Sequence, residues 1–273
     1  MRRLLLTAAA GLAVLCGGPA QAQTTDLVDR SQLRVCADPA NIPFSSDKSA
    51  GFENKIAELL AKELGVPVTY TWFPQVTGFV RNTLGAGLCD LVMGAAQGEE
   101  LMQNTNHYYK SAYVLLLKPD SDLKGIESLD DPRLKDKVLG VIAGTPPATV
   151  MAMNGLMGKV HPYSLVVDRR FEAPAEQMIA DLNAGTIDAG ILWGPMGGYY
   201  AKRNATPLTI IPLVHETKGP RMSFRITMAM RRNEQDWKRQ INELIAKKQN
   251  EINAILLSYG VPLLDESDKL ITQ

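Results

Sequence analysis

Leu33-Arg34-Val35-Cys36-Ala37, the segment Gly51 to Gly65, the segment Val66 to Trp72, and Leu91-Val92-Met93-Gly94 together decide the fold. The first is a short strand-like run that ends in the polar loop Asp38-Pro39-Ala40-Asn41. In the second, Ile56, Leu59, Leu60 and Leu64 recur at helical spacing, and Gly65 stands where a helix stops. Val66, Val68, Tyr70 and Trp72 then alternate with Pro67, Thr69 and Thr71, the period of a half-buried strand. A short helix over Phe79 to Leu84 leads to the apolar strand Leu91 to Met93. Strand, helix, strand, helix, strand is the pattern of a parallel sheet covered on both faces.

The same pattern recurs downstream. After the apolar run Ala112 to Leu117 and the polar break Lys118-Pro119-Asp120-Ser121-Asp122, Val138 to Ile142 reads as a strand. Gly144-Thr145-Pro146-Pro147-Ala148 opens a helix with proline in its first turn, where a missing N–H does no harm. Tyr163 to Val167 is expected as a strand, Ala175 to Leu182 as a helix and Ala189 to Trp193 as a strand. The strand Ile226 to Met230 and a long helix bearing Trp237, Ile241, Leu244, Ile245, Ile252, Ile255, Leu256 and Tyr259 have no unit of their own. They are expected to return to the first lobe. The expectation is an α/β protein of two lobes, each with a parallel-type sheet, joined by a two-strand hinge. Lobe 1 takes residues 23–113 plus 223–273 and lobe 2 takes 114–222, with a ligand cleft at the C-terminal strand ends.

The first 22 residues read as a secretory signal. Arg2 and Arg3 precede a short apolar run, and Ala20-Gln21-Ala22 is a small-x-small cleavage site. The run is shorter than the roughly 20 apolar residues of a membrane span. A lipidated Cys16 is opposed by bulky Leu15, and the arginine pair lacks the context of a twin-arginine signal. Export into an oxidising compartment makes Cys36 and Cys89 candidates for a disulfide, provided their Cα atoms lie within about 7 Å. Across all 273 residues, 29 Lys+Arg balance 29 Asp+Glu, which leaves no electrostatic footprint for nucleic acid or an anionic membrane.

Enzyme signatures are missing. His107, His161 and His215 are far apart, and no His-x-x-x-His or Cys-x-x-Cys exists to hold a metal. There is no Gly-x-Ser-x-Gly elbow and no Gly-Lys-Ser/Thr phosphate loop. Gly85-Ala86-Gly87 follows a helix and precedes a strand, the wrong order for dinucleotide binding, and reads as a turn. Asp120 and Asp122 lack the further spaced ligands of a calcium loop. No cofactor and no metal are expected, and the arrangement points to binding rather than turnover.

Several blocks occur in an order that carries more information than any one of them. They are Leu33 to Pro39, Pro43-Phe44-Ser45, Gly51 to Ala57, Gly78 to Leu84 and Cys89 to Gly94, continued by Tyr108-Tyr109-Lys110-Ser111, Gly144-Thr145-Pro146-Pro147 and Trp193-Gly194-Pro195. Together they resemble the periplasmic binding-protein-like partners of pyrroloquinoline-quinone (PQQ) methanol dehydrogenases, the MxaJ/XoxJ group. The resemblance implies a type II periplasmic binding protein fold and a monomeric periplasmic accessory protein. Its implied partner is a PQQ-dependent methanol or alcohol dehydrogenase, including lanthanide-dependent forms, with its cytochrome c as a further partner. Gln97-Gly98-Glu99-Glu100 and Gln75-Val76-Thr77 depart from the group's commoner residues.

Amino-acid receptors of the wider superfamily carry an arginine for the ligand carboxylate at about the position of Leu101, and an acid for its ammonium where Trp193 stands here. Losing both would leave a desolvated zwitterion unpaired, a penalty of several kcal/mol. An amino-acid receptor and a dehydratase of prephenate-like acids are therefore disfavoured. A transporter-linked receptor for a small uncharged or anionic solute is the alternative.

The candidate cleft residues are Asp38, Asn41, Phe44, Gln75, Arg81, Gln97, Thr145, Trp193 and Tyr199. Asn41, Gln75 and Gln97 lie in loops at the expected rim. Arg81 is either a surface charge or a cleft cation, and Thr145 either caps its helix or helps hold an anion. Trp72 and Phe73 are read for core or cleft, with the strand's apolar face favouring core for Trp72. Trp193 ends its strand before Gly-Pro, facing either a cleft or an interface. Gly197-Gly198-Tyr199-Tyr200 is either an adhesive patch or an ordinary helix.

Overall fold

The computed structural model describes residues 27–271 apart from residue 99, so the expected signal segment lies outside the described residues. Strand β1 (Leu33–Ala37) is followed by the two-residue strands β2 (Ala40–Asn41) and β3 (Ser45–Ser46), which pair with each other. Helix α1 (Phe52–Leu64) turns its apolar face inward, burying Phe52, Ile56, Ala57, Leu60 and Ala61. Its start is fixed by Asn54, whose Oδ1 accepts from the backbone N–H groups of Ser46 and Gly51 at 3.0 and 3.1 Å. Gly65 ends it in the left-handed region, at φ 71°.

Strand β4 (Val68–Trp72), the single-turn helix α2 (Phe79–Asn82) and strand β5 (Leu91–Ala96) complete the first unit. Both β4 and β5 run parallel to β1. Cys36 and Cys89 are joined by a disulfide, with Cα atoms 5.4 Å apart, inside a small core shared with Phe79, Leu84 and Val92.

The expected apolar run Ala112 to Leu117 is only the second half of a longer element. Strand β6 (Gln103–Leu117) has 15 residues and belongs to both lobes. The second unit contains β7 (Leu139–Ile142), α3 (Pro146–Met153), β8 (Val160–Tyr163), α4 (Pro174–Ala184), β9 (Ala189–Trp193), α5 (Gly194–Arg203) and β10 (Thr209–Pro212). Strand β8 pairs Val160 with Leu139 and ends at Tyr163, where a strand was expected to begin. The following Leu165 and Val166 are exposed in a loop that continues to Ala173. The chain then returns through β11 (Ser223–Met230) and α6 (Gln235–Ser258).

The strand order is β4-β1-β5-β11-β6-β9-β7-β8, with β10 on β6. The expected two-lobed α/β architecture is present, and its sheet as a whole is mixed. Each unit is parallel internally, but β11 runs antiparallel to both β5 and β6, and β6 runs antiparallel to β9 and β10. Strand β6 crosses directly into lobe 2 as one continuous element. Its pairing passes from β11, as far as Ala112, to β9 and β10, from Tyr113 onward.

Helix α6 buries Trp237, Ile241, Ile252 and Leu256 against the lobe-1 core with Phe52, Leu60, Leu91 and Met93. Each such side chain contributes about 1.5–3 kcal/mol. Beside this core, the nearly inaccessible Asp90 carboxylate pairs with Arg34 at 2.7 Å and with Arg231.

Candidate functional site

Five strand ends converge on one cleft between the lobes. Asp38 and Asn41 follow β1, Gln75 follows β4, Gly94 lies in the second half of β5, Arg169 follows β8 and Trp193 closes β9. This is where open α/β sheets place their ligands. A cavity of about 270 Å³ lies there, with Asn41, Phe44, Glu53, Tyr109, Arg169 and Trp193 among its lining residues. Tyr113 of β6 and Ile226 of β11 also line it, so the strands that connect the lobes contribute to its wall.

Asp38 organises the lobe-1 rim and is only 4% exposed. Its Oδ1 accepts from the Ala40 N–H at 2.9 Å and its Oδ2 from the Gln75 N–H at 2.8 Å. The Arg169 guanidinium crosses from lobe 2 and donates to the same Oδ2 at 3.1 Å. Asn41 Nδ2 donates to Gln75 Oε1 at 2.9 Å, tying the two rim loops together.

The wall around Trp193 is aromatic. Trp193 meets Tyr113 edge to face at 5.3 Å between ring centroids and Phe224 at 5.8 Å. Phe44 packs on Phe52 at 5.2 Å on the lobe-1 side. Pairs of this geometry contribute about 0.5–1.5 kcal/mol beyond the area they bury.

Glu53, in the first turn of α1, is 8% exposed and borders the cavity. Its carboxyl makes no hydrogen bond to another described residue. Burial, reinforced by the charge of Asp38, pushes its acid up to about 8. A Cβ on Gly94 would collide with this carboxyl, so glycine there makes room for it. Burial also raises the Tyr109 hydroxyl well above the usual phenol range, with the charge of Glu53 second, and pushes Tyr113 up to about 12.

The structure brings Asn41, Phe44, Gln75 and Trp193 together in the cavity, with Asp38 fixing their rim. Arg81 is exposed on α2, outside the cavity lining. Gln97 lines a separate groove of about 820 Å³ with Lys110, Arg225 and Glu266. That groove is on the other face of the sheet, because Lys110 and Arg225 alternate with cavity-lining Tyr109 and Ile226. Its charges are paired, Lys110 with Asp268 at 2.9 Å and Arg225 with Glu266 at 2.5 Å. Thr145 makes no cap; its hydroxyl donates to the Ile142 carbonyl at 2.6 Å. Tyr199 belongs to α5, stacks on Tyr259 and lies under the Arg203 guanidinium at 3.7 Å, away from the cavity.

Sequence reasoning missed Glu53, Tyr109, Tyr113 and Arg169. The available signal for Glu53 was a carboxylate between the core residues Phe52 and Ile56; Arg169 carried none.

No group of three or more His, Cys, Asp or Glu among the described residues could hold a metal ion. No helix among them is long and apolar enough to cross a membrane.

Two α/β lobes, a strand shared between them and a cavity at their converging strand ends define a protein of the solute-binding type. Residues 33–261 match the family described as bacterial extracellular solute-binding proteins, family 3, and the chain belongs to that family. It is 45% identical to the periplasmic binding protein XoxJ from Methylobacterium extorquens AM1, with a TM-score of 0.74 over 86% of this chain and 100% of that one. The structure of MxaJ from Methlophaga aminisulfidivorans MPT is 27% identical, with a TM-score of 0.72 over 85% of this chain and 100% of that one. Protein MoxJ of Methylorubrum extorquens is 32% identical over 97% of this chain and 95% of its own. The resemblance to the MxaJ/XoxJ group read from the ordered blocks is thereby borne out.

Proposed function

We propose that this protein is exported to the periplasm and acts there as an accessory to a PQQ-dependent methanol or alcohol dehydrogenase, assisting its activation or maturation. The 45% identity to XoxJ over most of the chain carries this reading. The site supports it. Arg169 is the cavity's one lining cation among the described residues, and it already donates to Asp38, so an amino-acid carboxylate would have to share it with an acid. In this reading lobe 1 comprises 23–113 plus 223–273, lobe 2 comprises 114–222, the signal is removed after Ala22, and the mature protein is a monomer.

The test pairs co-purification with deletion. Affinity-tagged protein recovered from native periplasm should carry the dehydrogenase, and a deletion strain should lose most of its dehydrogenase activity until the gene is restored. Full activity in the deletion strain with no recoverable complex would remove the proposal. A receptor for a small uncharged or anionic solute is the second reading, favoured by the preserved cavity. It requires solute uptake, rather than dehydrogenase activity, to fail on deletion.

A further inference from the structure

We propose that the cleft is a binding site for a small organic monocation, an alkylated ammonium ion without a carboxylate, held by Glu53 and by the aromatic walls Phe44, Tyr109, Tyr113 and Trp193. This goes beyond the accessory role and does not depend on it.

Three observations meet here. The first is Glu53, a buried carboxyl that borders the cavity with no hydrogen-bonding partner among the described residues. An unpaired acid in a low-dielectric wall is costly as an anion, and a ligand cation removes that cost. Gly94 keeps open the space that this carboxyl occupies, so the group is accommodated by design of the wall. The second is the set of four aromatic side chains around the same 270 Å³. Aromatic rings attract alkylated ammonium ions through their quadrupoles, most strongly where water is excluded.

The third observation disfavours the opposite charge. Arg169 is paired with Asp38, and Asp38 also accepts two backbone N–H bonds, so that pair is neutral and satisfied. A carboxylate ligand would have to share that guanidinium with Asp38 while facing Glu53. An ammonium ion meets an unpartnered acid and leaves the pair intact.

Binding then has a signature. Near neutrality Glu53 is protonated, so the arriving cation displaces its proton to the buffer. The groups facing Glu53 are Asp38 after β1, Tyr70 on β4, Tyr108 and Tyr109 on β6, and Arg169. The tyrosines stay neutral well above pH 8, each with its hydroxyl raised by burial. Affinity should therefore rise about tenfold from pH 6 to pH 7 and level off above pH 8.

The experiment is calorimetry on the mature chain with methylammonium, trimethylammonium and tetramethylammonium chlorides, with tert-butanol as a neutral isostere and with acetate. Titrations at pH 7 in phosphate and in HEPES, whose ionisation enthalpies differ, count the protons released. The expected result is one ammonium ion bound per protein with close to one proton released, and tert-butanol and acetate at least tenfold weaker. Glu53→Gln should weaken binding tenfold or more and abolish proton release. Trp193→Leu should weaken binding while proton release persists. No ammonium binding at millimolar concentration overturns the proposal, as does equal affinity for tert-butanol, preference for acetate, or binding without proton release. If Glu53→Gln does not fold, the wild-type proton count and Trp193→Leu still decide. Because the readout is calorimetric, failure here leaves the dehydrogenase role standing, and failure there leaves this site standing.

Discussion

Arg169 and Asp38 form an ion pair across the cleft, 3.1 Å from Nη1 to Oδ2, with Asp38 nearly inaccessible and Arg169 37% exposed. The pair joins loops that belong to different lobes, so its energy acts on the closure equilibrium. Asp38 stays satisfied by two backbone N–H groups when the arginine leaves, which makes the bond separable without unfolding the rim.

Arg169→Ala should therefore shift the molecule toward an open form. A charge-assisted hydrogen bond contributes about 1.5–3 kcal/mol, discounted here to about 1–2 because the guanidinium is over a third exposed. Small-angle scattering should show a larger radius of gyration for the variant, with unfolding midpoint nearly unchanged. An identical scattering curve would show that the pair does not hold the lobes together.

Stability should fall as pH rises through the interval set by Glu53. Its folded acid titrates near 8, against 4.5 for an ordinary glutamate, so the native state holds a proton that the unfolded chain has lost. Between those values stability declines with pH, by up to about 1.4 kcal/mol per pH unit, and the decline ends above pH 8. Urea unfolding at pH 5, 6, 7 and 8 should show this slope in the wild type and a flatter profile in Glu53→Gln.

Gly198 on α5 faces Gly260 at the end of α6, with no room for a Cβ between the two backbones. Gly198→Ala should cost about 1–3 kcal/mol through overpacking and lower the melting temperature. Gly158 has open space around its Cβ position, so Gly158→Ala should change stability by less than about 0.5 kcal/mol.

The bridge between Cys36 and Cys89 ties β1 to the start of β5 across a sequence separation of 53. Replacing both cysteines by alanine should cost about 2–4 kcal/mol, most of it by freeing the unfolded chain. Denaturant midpoints of the two proteins under oxidising conditions measure it, and a reductant should move only the wild type.

The alternation of strands and helices was legible because its periods are local: Val68, Tyr70 and Trp72 announce β4, and Ile56, Leu60 and Leu64 announce α1. The first half of β6 was not, because Gln103 to His107 is polar, and its strand state comes from pairing with β11. Leu165 and Val166 misled in the other direction. Their β-branched and aliphatic character suits a strand, yet no neighbour remains for them beyond Tyr163. At the site, Asn41, Phe44, Gln75 and Trp193 followed from the rule that ligands sit beyond strand ends. Glu53 was masked by its place in a helix's first turn, where an acid needs no other explanation. Arg169 reaches Asp38 over 131 residues of sequence, a distance no local pattern encodes.

Strand β11 is wedged between β5 and β6. A nascent chain emerging N-terminus first must therefore hold a slot open in its earliest sheet while the whole second unit is delivered. Lobe 2 has no such wait, since every strand it needs precedes residue 223. Shortening the protein before β11 would thus leave one finished lobe attached to one that cannot zip shut, rather than a slightly trimmed molecule.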